Sequence, residues 1–282
     1  MADLPYIHGY DAQENERLLA QARSVLSLLH DDLRYPVGSR VLEVGCGTGA
    51  QTVTLARNSP DARFVSFDRS EVSLERARER VRAAGVTNVE LRSEDLFALP
   101  FAPGSFDHAF VCFVLEHLPH PVAALTEVRR FVRRGGTITV FEGDHGSAYF
   151  HPDSDVARRA IWCQVELQRL MGGNANIGRQ LYPLLREAGY AQVRVEPKLV
   201  YVDASRPHLV DDFIRKTFTW MVQAVRAPAI DARLIQPEAF DAGIAALLRT
   251  AEDDGVFCYT FFKGVATVAP TPRQASAQVA RN

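Results

Sequence analysis

The chain has 282 residues, 47% of them apolar and 23% charged, with a formal net charge of −2, which suits one elaborated domain or a core with a sizeable insertion. That charge balance argues against a nucleic-acid partner, since polyanion binders carry a basic stripe, and no apolar run reaches the roughly 18 residues that span a bilayer, so no membrane partner is expected. Cys46, Cys112, Cys163 and Cys258 form no CxxC pair, and Met1-Ala-Asp-Leu-Pro has no basic stretch before an apolar core, so a cytoplasmic protein with reduced thiols is expected.

Asp11 opens a helical pattern, with Glu14 placed as in a capping box. Leu18, Ala22, Val25, Leu26, Leu29 and Leu33 follow at helical spacing. Residues 1–35 therefore read as an N-terminal helical lid, and Tyr6 and Tyr10, ahead of the helix, are expected to close over a ligand. Pro36-Val-Gly38 ends the helix, and a strand begins at Arg40. Phe64 to Phe67 is a second strand, ending at Asp68, and Ser70 can cap the helix that runs to Gly85. Val89 to Leu91, Asp107 to Val114 and Thr137 to Glu142 are further strands, with a helix over Pro121 to Val132. This alternation predicts parallel βαβ units in a doubly wound, Rossmann-like α/β sheet over 36–145.

After Glu142 the rhythm changes. Residues 146–180 are expected to form a helical cap, with a helix at 153–171 stopped by Gly172-Gly173. Residues 181–206 return to the core as a helix and a strand near Val193 to Val202. Residues 207–254 are a helical insertion, in which Pro237 opens a helix whose Phe240, Ile244, Leu247 and Leu248 share one face. Residues 255–268 form the last core strand, and 269–282 read as a disordered tail. The first helix and the insertion are the faces through which a homo-oligomer would form.

The chemistry concentrates in Arg40-Val-Leu-Glu43-Val-Gly45-Cys-Gly47-Thr-Gly49-Ala-Gln-Thr. An apolar strand ends in a carboxylate, and three alternating glycines then let the backbone turn sharply and approach a ligand. Gly45-x-Gly47-x-x-Ala50, with Asp68 about 20 residues on, also satisfies the dinucleotide pattern of oxidoreductases. Glu43 argues against that reading, because a carboxylate there repels a pyrophosphate but suits an amino group or ribose hydroxyls.

Together with the spaced motifs downstream, this stretch resembles the class I S-adenosylmethionine-dependent methyltransferases, strongly over 36–145 and more loosely over 175–204. The resemblance implies a seven-stranded sheet with its last strand antiparallel, S-adenosylmethionine as cofactor, S-adenosylhomocysteine as product, and no metal. Val41-Leu-Glu43-Val-Gly45-Cys-Gly47-Thr-Gly49 is similar to the first family motif. Asp68, with Arg69 beside it, matches the acid that holds the ribose hydroxyls. Asp95 matches the acid that accepts from the adenine amino group, with Leu96 against the ring. Ser105 to His117 resembles the fourth motif, whose backbone, including Phe113, lines the methionine moiety. Arg133-Arg-Gly135-Gly136 resembles the entry to the fifth strand, with arginine where the family usually has proline.

Methyl transfer is an in-line displacement, so alignment dominates and a base is needed only where the nucleophile holds a proton. Candidate bases past the fourth and fifth strands are His117, Asp144 and His145. Tyr149, Phe150 and Tyr182 are expected to contact the acceptor from the cap, alongside Tyr6 and Tyr10. The sequence after the fourth strand, Cys112-Phe-Val-Leu, lacks the Asn/Asp-Pro-Pro-Tyr of many amino-group methyltransferases. A small organic acceptor remains, such as a natural-product intermediate, with C- or O-methylation open. An alkene acceptor, as in prenyl or terpenoid C-methylation, would need no base and could use aromatic faces to stabilise a cation. A nicotinamide-dependent oxidoreductase and a non-catalytic S-adenosylmethionine-binding protein are the two alternatives.

Overall fold

Val41 and Leu42 are both fully buried on opposite faces of one strand, and each belongs to a different apolar core. The same alternation repeats along the sheet: Phe64, Phe110 and Phe141 enter the first core, while Val65, Val111 and Val140 enter the second. Strands buried on both faces belong to a sheet covered on both sides by helices. The computed structural model describes residues 32–269. Tyr6, Tyr10, most of the expected N-terminal helix and the tail beyond Ala269 lie outside the described residues.

Seven strands form one sheet: β1 (Arg40–Val44), β2 (Arg63–Asp68), β3 (Val89–Ser93), β4 (Phe106–Cys112), β5 (Val132–His151), β6 (Ala191–Asp203) and β7 (Val256–Thr267). Their order is β3-β2-β1-β4-β5-β7-β6. The first five pair in parallel, and β7 runs antiparallel to both β5 and β6, as the resemblance implied. The helices are α1 (Thr52–Asn58), α2 (Glu71–Ala83), α3 (Pro121–Phe131), α4 (Asp155–Leu170), α5 (Leu181–Glu187) and α6 (Pro207–Leu209). A π-helical stretch, Val210–Thr219, then leads into α7 (Trp220–Ala224), α8 (Arg226–Asp231) and α9 (Pro237–Arg249). Ser70 caps α2 as expected, accepting from Ser73 N at 3.3 Å.

The second core is closed by α3 and α5 through Leu125, Val128, Phe131, Leu181 and Leu185. The first is closed by α4, the π-helical stretch and α9 through Leu167, Phe213, Phe218 and Phe240. One expectation is corrected here. The fifth strand does not stop at Glu142 but continues to His151, so residues 146–151 are strand rather than helical cap. β7 is long enough to keep pairing with them, down to His151 opposite Val256. The insertion packs on the sheet. Its Phe213, Phe218 and Phe240 are each at most 2% exposed and pack into the first core. All four cysteines are free.

Candidate active site

The glycine loop leaves β1 at its carboxyl end, beside the carboxyl ends of β2 and β4. Gly45 takes φ +65°, and a Cβ there would lie 2.6 Å from Val114 Cγ2, so only glycine lets the loop press against the segment after β4. Asp68, at the end of β2, turns back toward this loop. Its carboxylate accepts from Gly47 N at 2.8 Å and from Ser70 N at 2.9 Å. Asp95 follows β3, is exposed, and accepts from Phe97 N at 2.8 Å. Leu96 beside it is half-buried, and Arg69 is exposed.

Glu43 lies buried beneath the loop and accepts from Ser66 Oγ at 2.6 Å. Burial pushes its carboxyl up to about 7; the Ser66 hydroxyl opposes that rise and the charge of Asp68 adds to it. Glu43 and Asp68 thus lie against a loop whose backbone can approach a ligand closely, and Asp95 follows the next strand, β3. Such a set suits amino and hydroxyl groups, whereas a pyrophosphate would meet negative charge. Phe113 completes this edge. It takes φ +57°, an uncommon conformation for a bulky residue, while its N–H donates to Phe141 O at 2.9 Å. That turn swings the chain from β4 into the segment that meets Gly45.

A second polar group lies past the carboxyl ends of β4 and β5. Glu142 is fully buried, and its Oε1 accepts from Val114 N at 3.0 Å and Leu115 N at 2.7 Å. Burial, with Glu116 nearby, pushes its carboxyl well above the usual range. Glu116 sits in the 3₁₀ turn Leu115–His117. Its Oε1 is 3.6 Å from His117 Nε2 and its Oε2 is 3.5 Å from His145 Nε2. Gln168 Nε2, from α4, donates to Glu116 O at 2.9 Å and to Oε2 at 3.3 Å. Burial alone would raise the Glu116 carboxyl, but the two imidazoles and Gln168 outweigh it and hold it well below the ordinary carboxylate range. Two carboxyl groups pushed in opposite directions at one site are a signature of acid–base work.

A break in the β5–β7 ladder delivers His145 to this cluster. Asp144 pairs with Thr260 and Tyr149 with Cys258, so residues 145–148 bulge out opposite Tyr259 alone. The displaced backbone is satisfied elsewhere: His145 N donates to Ala175 O at 3.0 Å, and Gly146 N to Asn176 Oδ1 at 2.8 Å. Ser147 Oγ fills the ladder gap, accepting from Thr260 N at 3.1 Å and donating to Asp144 O at 2.7 Å. His145 Nδ1 then lies 3.2 Å from the Tyr259 hydroxyl.

Of the residues expected to act on the acceptor, the structure brings His117 and His145 together around Glu116. Asp144 sits close by in sequence but is held in a bidentate pair by Arg179, at 2.8 and 2.6 Å. Tyr149 and Tyr182 are exposed, at 67% and 53%. Phe150 is stacked on Phe257 at 6.1 Å between ring centroids. Sequence reasoning missed Ser66, Glu116, Gln168, Arg179 and Tyr259. Only Glu116 carried a local signal, as the neighbour of His117.

A family model described as a methyltransferase domain matches residues 41–136. The chain is 36% identical over 178 residues to an uncharacterised 37.1 kDa protein of a Streptomyces fradiae transposon, covering 62% of this chain and 50% of that one. It is 31% identical over 134 residues to a demethylmenaquinone methyltransferase of Staphylococcus aureus, covering 47% and 55%. The chain therefore spans about half the length of these curated relatives. Among solved structures, its fold is similar to that of the [4+2]-cyclase SpnF, with a TM-score of 0.54 at 22% identity, covering 92% of this chain and 82% of that one. Strand order, glycine loop and domain match agree on a methyltransferase domain over residues 41–136.

Proposed function

We propose that the protein transfers the methyl group of S-adenosylmethionine to a small organic acceptor, by O- or C-methylation, in a reducing compartment such as the cytoplasm. The observation that supports this reading is the carboxylate at or just after the end of each of β1, β2 and β3 (Glu43, Asp68 and Asp95), with Asp68 bound to the glycine loop at Gly47. Glu43 would face the amino group or ribose diol, Asp68 with Arg69 the ribose, and Asp95 with Leu96 the adenine. Phe113 would line the methionine moiety. The cofactor supplies an electrophilic methyl on a sulfonium, and the chain has to align the acceptor with it. His117 and His145 stand where the acceptor's proton would leave. Asp144, tied to Arg179, supports that wall instead of acting as a base. Among the described residues no group of ligands suited to a metal ion occurs, and no helix is long and apolar enough to cross a membrane.

A second reading has one observation behind it: a [4+2]-cyclase shares this fold, so the scaffold can serve a reaction other than methyl transfer. Calorimetric titration with S-adenosylhomocysteine and with NAD separates the cofactors, and binding of the first alone is expected. Incubation with methyl-labelled cofactor and a cell extract, read by mass, then separates transfer from bare binding. Label left wholly on the cofactor across extracts would favour the second reading.

A further inference from the structure

We infer that Glu116 is a positioning carboxylate that makes His117 the base of the reaction, so the acceptor is a compound that must lose a proton, a hydroxyl compound or a carbon acid. This rests on the methyl-transfer reading above. The geometry is a chain of side chains leading inward from the surface. His117, whose side chain is 27% exposed, is its outermost member, and Glu116 at 11% and His145 at 7% follow. Tyr259, from β7, is the buried end, its hydroxyl 3.2 Å from His145 Nδ1. Glu116 faces one imidazole with each carboxylate oxygen, which orients both rings and stabilises an imidazolium once a proton arrives.

Among the described residues, Glu116 is the ionised carboxylate that faces both imidazoles. Glu142, from β5, is buried and pushed toward its neutral form, as is the Cys112 thiol at the end of β4. Burial likewise pushes the Tyr259 hydroxyl up, keeping it neutral. Asp144 is matched by Arg179, and Gln168 from α4 is uncharged. A tertiary amine would have no use for such an arrangement, since it has no proton to give up, and an alkene gives one up only after attack, from the carbocation it becomes. A hydroxyl or an activated C–H gives its proton up as it attacks. Its proton passes to the His117 imidazole as the oxygen or carbon takes the methyl. The S–CH₃ bond breaks with its electron pair left on sulfur, and the imidazolium later returns the proton to water.

The test has two arms on the full chain. Without cofactor, NMR titration of the histidine rings should show the midpoint of His117 falling by about one pH unit in Glu116→Gln, the effect of losing one adjacent opposite charge. With methyl-labelled S-adenosylmethionine, a panel of a phenol, a β-diketone, a tertiary amine and an isoprenoid alkene should be labelled on the phenol or the diketone. Glu116→Gln should then cut kcat about tenfold or more while KM for the cofactor changes less than about twofold. Should that variant not fold, His117→Asn, at a half-exposed turn, is expected to lose kcat while still binding S-adenosylhomocysteine. An unmoved His117 midpoint, or label on the amine or alkene alone, would overturn the inference. Failure to bind S-adenosylhomocysteine would instead sink the methyltransferase reading, and the NMR arm distinguishes the two.

Discussion

Glu43 sits where a charge is hard to keep, under the glycine loop and away from water, with the Ser66 hydroxyl donating to it. Its carboxyl rises from an ordinary 4.5 to about 7, so the ligand-free native state holds a proton there that the unfolded chain gives up. The stability Glu43 contributes is therefore fully present below about 4.5 and is lost as pH rises through about 7. Cofactor binding runs the other way, because an amino group or a diol is better held by the ionised form. Between pH 6 and 8 the affinity for S-adenosylhomocysteine should rise by up to about tenfold, following the ionised fraction. In Glu43→Gln calorimetry should find a weaker affinity that no longer changes with pH, and the urea-melt stability of the apo protein should lose its fall between about pH 4.5 and 7. An affinity in the variant that still climbs through pH 7 would mean that another group, not Glu43, meets the ligand.

At the scale of elements, the bulge at residues 145–148 matters most, because a regular ladder would not bring His145 to Glu116 in this way. It is pinned from the side by Asp144, whose side chain is 3% exposed and whose carboxylate Arg179 holds in a fork. Replacing Arg179 by methionine leaves that carboxylate buried without its cation. Breaking a fully buried pair costs about 3–5 kcal/mol; with Arg179 half in solvent, about 2 kcal/mol is expected. Asp144→Asn combined with Arg179→Met should recover most of the loss in urea denaturation, and a double variant no better than the single one would show that Arg179 acts through other contacts. This is also where the sequence was least readable. The loop, Glu43, Asp68 and Asp95 were legible because motif and strand period lie in one continuous stretch. Tyr259 and Gln168 were not, since they come from β7 and α4 and meet His145 and Glu116 only through tertiary packing. The strand extension to His151 was hidden for a related reason: Gly143 and Gly146 suggest a turn, and only the partner strand β7 overrides them.

For the whole molecule, the question is whether the insertion at 207–254 is a lid on a finished domain or part of its core. Phe218 answers through its neighbours, lying 4.7 Å from Phe257 and 5.4 Å from Tyr259, ring centroid to ring centroid, and 6.3 Å from His145. The insertion therefore covers the face of β7 and backs the wall that carries His145. A lid could be trimmed with little effect on stability, whereas a core element could not. Phe218→Ala should cost about 3–5 kcal/mol, the range for emptying a fully buried aromatic site. The cofactor loop follows β1, and β4 and β5 lie between that strand and β7 in the sheet. The two effects should then add: S-adenosylhomocysteine at 100 times its Kd should stabilise wild type and variant alike by about 2.7 kcal/mol. Thermal and urea melts with and without the ligand measure both quantities. A loss under about 1 kcal/mol for Phe218→Ala would return the insertion to the role of a detachable cap, while a lost ligand increment would show that the aromatic wall reaches the cofactor loop after all.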